Sequence, residues 1–217
     1  KYIFLLAGAL SLASCESWLD EDPQYTINTK TQFSTVENAR QALMGCYGYM
    51  SADNAYGQAW QEVTFGYCGF GWSQTNGSST DLLVSMDGGI DETINTMAWR
   101  GMYKVIGETN AFIANIADSP LESADKLPME AAARFLRALA YYNLAVTYGD
   151  VPLKTTPSAH DGVAVPRSPK NEVFELVRTD WEFAYENLPE KDDDGFATKW
   201  AAKAYLGKLY HTLGCQG

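Results

Sequence analysis

The side chains able to carry chemistry in this chain are two histidines, four cysteines, 27 acidic residues and an unusual number of rings. The histidines do not assemble into a centre. His211 falls among Leu209, Tyr210 and Leu213 in a helical pattern, where a packing role is expected. His160 stands beside Asp161 in a loop, with no HExxH or His/Cys spacing that would hold zinc. There is no GxSxG nucleophile elbow and no phosphate loop. Carboxylates are so dense that no pair singles itself out as a glycosidase dyad. Asp192-Asp193-Asp194-Gly195 lacks the alternating ligands of a calcium loop and reads as a solvated turn. Neither a catalytic residue nor a bound metal or cofactor is expected.

Binding chemistry is better supplied. Tyr56, Trp60, Phe65, Tyr67, Phe70 and Trp72 fall within 17 residues, and Gly66, Gly69 and Gly71 interleave the later rings. Gln74, Asn76, Ser78, Ser79 and Asp81 follow with donors and acceptors. Saccharides need that mixture, since their C–H faces stack on rings while their hydroxyls seek amides and carboxylates. By analogy with aromatic pairs, each ring contributes about 0.5–1.5 kcal/mol beyond area burial. Single sites of this kind are weak, and avidity along a polymer strengthens them. Tyr56, Trp60 and Phe65 are expected to pack the segment onto the body of the protein. Trp72 is the first choice for ligand contact, followed by Tyr67, Phe70, Asn76 and Asp81.

The amino-terminal stretch carries a different chemistry. Lys1 precedes eleven uncharged residues, 2–12. As a helix these span only about 16 Å, half a bilayer core, which is the length of a signal-peptide apolar region rather than of a membrane span. Leu12-Ala13-Ser14-Cys15 is similar to the bacterial lipobox. Residues 1–14 are therefore read as a lipoprotein signal peptide, with part of the basic leader expected ahead of Lys1. Cys15 would carry the lipid, and two or more acyl chains make stable anchoring. Glu16, Asp20, Glu21 and Asp22 follow as a solvated tether, within a lipidated and extended stretch, 15–33.

Net charge is −11, which opposes binding to phosphate backbones and gives no electrostatic help toward anionic lipid, so nucleic acid is excluded as a partner. Cys46, Cys68 and Cys215 form no CxxC pair. Cys46 reads as an inert buried thiol, and a Cys46–Cys68 disulfide is open in an oxidising compartment.

The elements that must position these groups are helices. Ser34-Thr35-Val36-Glu37 matches a capping box, with Ser34 as the cap, opening a helix over 35–50 whose stripe is Val36, Ala39, Leu43 and Tyr47. Residues 53–90 read as a long irregular segment rich in glycine, small polar residues and rings. A helix over 91–116 follows, then one over 128–148 with Pro128 in its first turn and Gly149 as a left-handed stop. Residues 150–167 read as an extended loop. Ser168-Pro169 should cap a helix ending near Leu188, and a last helix should span 198–213. Ala132, Ala133, Ala138, Ala140, Ala201, Ala202 and Ala204 would let neighbouring helices approach closely. The expected fold is mainly α, built of stacked antiparallel helix pairs in a tetratricopeptide-like manner, with a long aromatic and glycine-rich loop inserted.

Three segments together resemble the SusD/RagB family of outer-membrane nutrient-binding lipoproteins. They are Cys15 with Trp18-Leu19-Asp20 and Pro23; Ala133-Arg134-Phe135-Leu136-Arg137-Ala138-Leu139-Ala140-Tyr141-Tyr142 running on to Tyr148-Gly149-Asp150-Val151-Pro152-Leu153; and Ala197-Thr198-Lys199-Trp200-Ala201-Ala202-Lys203-Ala204-Tyr205-Leu206. A weaker fourth runs from Trp99-Arg100 through Tyr103 to Asn110. The resemblance implies that 34–217 is the amino-terminal helical domain of a longer protein whose carboxy-terminal half is absent. It also implies a surface lipoprotein of the outer membrane that binds a glycan without transforming it, beside a SusC-like TonB-dependent transporter. Arg134 and Arg137 are expected to order neighbouring carboxylates and carbonyls, and Gly149-Asp150 to end a helix and bond backbone amides. A helical protein-interaction module or a peptide-binding lipoprotein is the alternative, and a glycan-acting enzyme ranks last.

Overall fold

The computed structural model describes residues 29–66, 68, 71, 84–86, 93–157 and 165–214. Its elements are α1 (Thr29–Gln32), α2 (Val36–Ser51), a π-helical turn (Asp53–Gly57), α3 (Ala59–Gly66), α4 (Thr93–Ala117), α5 (Ser123–Tyr148), β1 (Val151–Pro152), β2 (Arg167–Ser168), α6 (Lys170–Asn187) and α7 (Lys199–Gly214). Each long helix packs on the next: α4 on α5, α5 on α6, α6 on α7, with α2 lying across α4 and α5. The five-residue link 118–122 makes α4 and α5 antiparallel neighbours. The protein is thus mainly α, as the periodicity requires. No helix among the described residues is long and apolar enough to cross a membrane.

Helix α5 is the centre of the stack. Every residue from Phe135 to Ala145 is buried, as a helix covered on several sides requires. Alanine makes that possible, because Ala131, Ala132, Ala133, Ala138, Ala140 and Ala145 admit the neighbouring helices at short range. Of the other alanines, Ala202 is buried, Ala201 half-buried and Ala204 exposed, since α7 packs chiefly on α6. Rings fill the larger gaps. Phe135, Tyr142, Phe174, Trp181 and Tyr205 form a run of ring contacts between α5, α6 and α7, with centroids 5.2–6.5 Å apart. Much of the aromatic surplus is therefore spent inside the protein.

Several local expectations shift. The α2 cap is Thr35, whose hydroxyl accepts from the Asn38 amide, while Ser34 Oγ donates to the Thr31 carbonyl and Glu37 accepts from Gln41. The buried stripe of α2 is Ala39, Leu43, Cys46 and Met50, and Val36 is 42% exposed. The end of the expected tether forms α1, and Phe33 after it packs edge-on against Phe112. Helix α5 starts five residues before Pro128, which sits inside it and lacks the amide that would bond the Ala124 carbonyl. The loop after α5 contains a short antiparallel ladder, Val151 opposite Ser168 and Pro152 opposite Arg167. The irregular segment from residue 53 is helical as far as Gly66, in the π turn and α3.

Candidate functional site

The described signature residues converge on one buried polar centre. Arg137 of α5 donates from Nε and Nη2 to both Asp180 oxygens of α6 at 2.8 Å, and from Nη1 to Asn110 Oδ1 of α4 at 2.8 Å. Both partners are buried, with side-chain exposures of 7% and 1%. The fork geometry matches a carboxylate, so two charges and an amide from three helices are mutually satisfied away from water. Arg134, one turn earlier, reaches Glu130 at 2.6 Å and stacks over Phe183 at 4.2 Å. Both arginines order their surroundings, as the sequence implied; Asn110 closes the weaker fourth segment, whereas Asp180 carried no local signal.

The same centre fastens the loop that leaves α5. Asn110 Nδ2 donates to the Lys154 and Thr156 carbonyls. Tyr141 Oη donates to the Lys154 carbonyl and accepts from the Lys154 amide. Tyr103 Oη donates to the Pro152 carbonyl at 2.7 Å. Burial, together with the adjacent Tyr141, pushes the Tyr103 hydroxyl pKa far above its ordinary value. Gly149 turns the chain at φ 76° and ψ −123°, a conformation open essentially to glycine and outside the ordinary left-handed well. Asp150 Oδ1 then accepts from the Lys170 amide at 2.8 Å. That corrects the expected cap of α6: Pro169 precedes the helix without a side-chain acceptor, and Asp150 supplies one from twenty residues away.

The aromatic segment departs from a second face. Tyr56 is half-buried and accepts from Asn143 Nδ2 of α5 at 2.7 Å; burial raises its pKa. Trp60 is buried beneath it. Both pack the segment onto the body as expected. Phe65 does not: it is 54% exposed. The chain returns past its ring at Gly71, where a Cβ would lie 3.0 Å from Phe65 Cε1. The expected ligand residues Trp72, Tyr67, Phe70, Asn76 and Asp81 lie outside the described residues, as do Cys15 and His160.

Other expectations meet geometry. Cys46 and Cys68 are free, the first buried and the second exposed, so the open disulfide is not formed. Burial, then the charge of Glu108, pushes the Cys46 thiol up to about 12, which makes it inert. His211 is exposed rather than packed. In the acidic turn Asp192 Oδ1 accepts from the Asp194 and Phe196 amides, and Arg40 of α2 bonds Asp192 and Asp194. Burial alone would raise the Asp192 carboxyl; the Phe196 amide and Arg40 outweigh it and hold it low. The turn is thus clamped to α2, with Gly195 at φ 85°. Among the described residues no group of His, Cys, Asp and Glu gathers as metal ligands.

A stack of helix pairs in which Arg137, Asn110, Tyr103 and Tyr141 pin one loop defines a helical scaffold of the SusD superfamily type. The chain belongs to the SusD-like family whose model, described as "Starch-binding associating with outer membrane", matches residues 17–211. It is similar to a SusD-like protein of Formosa agariphila, 26% identical over 96% of this chain and 42% of that one. It is also similar to one of Bacteroides ovatus, 28% identical over 97% and 39%. The chain thus spans about two fifths of the length of these relatives. Among solved structures it resembles a laminarin-binding SusD-like protein, with a TM-score of 0.71 and 25% identity over 83% of this chain and 41% of that one. It likewise resembles a structure with a xylogluco-oligosaccharide, with a TM-score of 0.71 and 26% identity over 79% and 34%.

Proposed function

We propose that this chain is the amino-terminal part of a surface lipoprotein that captures a glycan and passes it to a SusC-like TonB-dependent transporter. The observation that carries the reading is the family match over residues 17–211, joined to a fold shared with a laminarin-binding protein. Cys15 is the lipidated residue, and residues 1–14 are removed as the signal peptide. Ligand contacts come from the aromatic segment: Trp72 stacks on a sugar face, Tyr67 and Phe70 extend the platform, and Asn76 and Asp81 bond hydroxyls. The start of the segment is anchored through Trp60 and through Tyr56 on Asn143, which supports this role, since platform rings need an immobile base. Retention and hand-over need no transition state to be stabilised, so no hydrolysis is expected.

The test is retention of the full-length protein on immobilised polysaccharides, with Trp72→Ala alongside. Retention on at least one glycan, weakened about tenfold or more in the variant, supports the reading, by analogy with the loss of a stacked ring. Retention on none would overturn it, and equal retention of the variant would remove Trp72 from the site. Mass spectrometry of the mature protein checks Cys15, where an unmodified thiol would overturn the anchor.

A further inference from the structure

A groove of about 460 Å³ opens where the end of α2 and the π turn meet α4, lined by Tyr49, Ala52, Asn54, Arg100, Gly101 and Lys104. Its size falls within the range of small-molecule sites, about 300–1,000 Å³. The groove exists because the turn lies directly on α4. At Gly101 a Cβ would stand 1.8 Å from the Asn54 carbonyl oxygen, so only glycine permits that approach. On α4 the cations Arg100 and Lys104, four residues apart, flank the contact on one face. Tyr49 closes the far side, 39% exposed, with Lys104 Nζ 4.7 Å from its ring centroid.

Arg100, like the exposed Arg167 of β2, has no carboxylate against it among the described residues, and it lines the groove. The protein carries 27 acidic side chains, and Arg40, Arg134, Arg137 and Arg178 each sit against carboxylates. Arg100 makes no ion pair or hydrogen bond among the described residues and is exposed at the groove. Lys104 donates to Glu108 and lies against Tyr49, which leaves part of its three-donor ammonium for a ligand. We infer that this groove is a subsite for the oxyanion of an acidic sugar, a uronate carboxylate or a sulfate ester, held by the Arg100 fork with Lys104 beside it. The Asn54 side chain and the Tyr49 hydroxyl supply partners for the neighbouring hydroxyls. Overall charge repels such a ligand at long range, so recognition is local and falls on these two cations. The subsite rests on the glycan-binding reading and narrows it to acidic glycans.

Affinity of the full-length protein is measured for three oligosaccharides of equal length: neutral, glucuronate-bearing and sulfated. The acidic probe that occupies the groove binds more tightly than the neutral one. Arg100→Gln lowers that affinity about tenfold or more, the size of a lost charged hydrogen bond, and leaves neutral binding unchanged. Arg100→Lys falls between, because it keeps the charge and loses the fork. The response of one acidic probe and not the other identifies the oxyanion. An unchanged affinity of Arg100→Gln for both acidic probes overturns the subsite while leaving glycan binding intact. If no oligosaccharide binds, the functional reading falls. Glucuronate and sulfate alone then decide the groove: perturbation of the Arg100 Nε resonance by either sustains it, and silence from both overturns it. The unpartnered Arg100 makes folding insensitive to these changes, and an unchanged melting temperature verifies that.

Discussion

At the scale of single residues, burial decides what each polar group can do. Arg137 and Asp180 are buried, and the two-pronged contact at 2.8 Å gives each the partner that water would otherwise supply. Removing Arg137 leaves the buried Asp180 carboxylate with only the longer contact to Arg134 Nη1, at 3.7 Å. Arg137→Ala is expected to cost about 3–5 kcal/mol, whereas exchanging both members for Met and Leu should recover most of the loss. Urea unfolding of the two single variants and the double variant measures this; single losses below about 1 kcal/mol would mean the pair is hydrated. The cysteines give a second residue-level prediction. Near pH 8 the Cys46 thiol, pushed up to about 12 by burial, stays protonated and covered, while Cys68 is exposed. Iodoacetamide should label Cys68 and spare Cys46 until denaturant is added, as peptide mass mapping would report. Labelling of both at equal rates in the folded protein would contradict the buried position of Cys46.

At the scale of elements, helix identity was legible and helix ends were less so. Apolar spacing gives α2, α4, α5, α6 and α7 because each must bury one face. The termini depend on partners remote in sequence, and no local pattern reveals them. Helix α6 shows this best, because its first amide is satisfied by Asp150, beyond a loop. Asp150→Ala should cost about 0.5–2 kcal/mol, the value of a lost cap, and Asp150→Asn much less. Faster hydrogen exchange at Lys170 and its neighbours in the alanine variant is the local readout. Unchanged exchange there would show that another group caps the helix. The π turn and α3 were hidden for a different reason. Their sequence mixes glycine, asparagine and rings, and what makes it helical is the tertiary seat on α4 at Gly101 and on Asn143 through Tyr56. The ring-rich composition also misled in part. It pointed to ligands, yet Phe135, Tyr142, Trp181 and Tyr205 are needed between helices. The pair of roles assigned to Arg134 and Arg137 was legible from chemistry alone, since arginines on an alanine-rich helix must find acceptors. The groove at Arg100 was not, because a missing partner is visible only in three dimensions.

At the scale of the whole molecule, buried hydroxyls and a buried thiol make stability depend on alkaline pH. Burial raises Tyr47 to about 12, against an ordinary 10.0, and the Ala197 amide that donates to its oxygen only partly offsets this. Tyr56 and Tyr103 are raised by burial as well, and Cys46 rises to about 12 from 9.0. Each of these groups holds its proton more tightly folded than unfolded. Their contribution is therefore complete below the ordinary values and is lost as pH rises through the folded ones. The melting temperature should hold from about pH 7 to 9, then fall steeply between about pH 10 and 12. Exposed ion pairs such as Lys104–Glu108 also weaken at alkaline pH once the lysine, held above its ordinary value by Glu108, gives up its proton, so the two causes must be separated. Salt separates them. At molar ionic strength exposed pairs are screened, while the desolvation that raises the tyrosines is untouched. A fall that persists in salt, accompanied by tyrosinate absorbance appearing with unfolding rather than before it, is the expected result. A fall abolished by salt would assign alkaline instability to the surface and leave the buried hydroxyls without a measurable part in it.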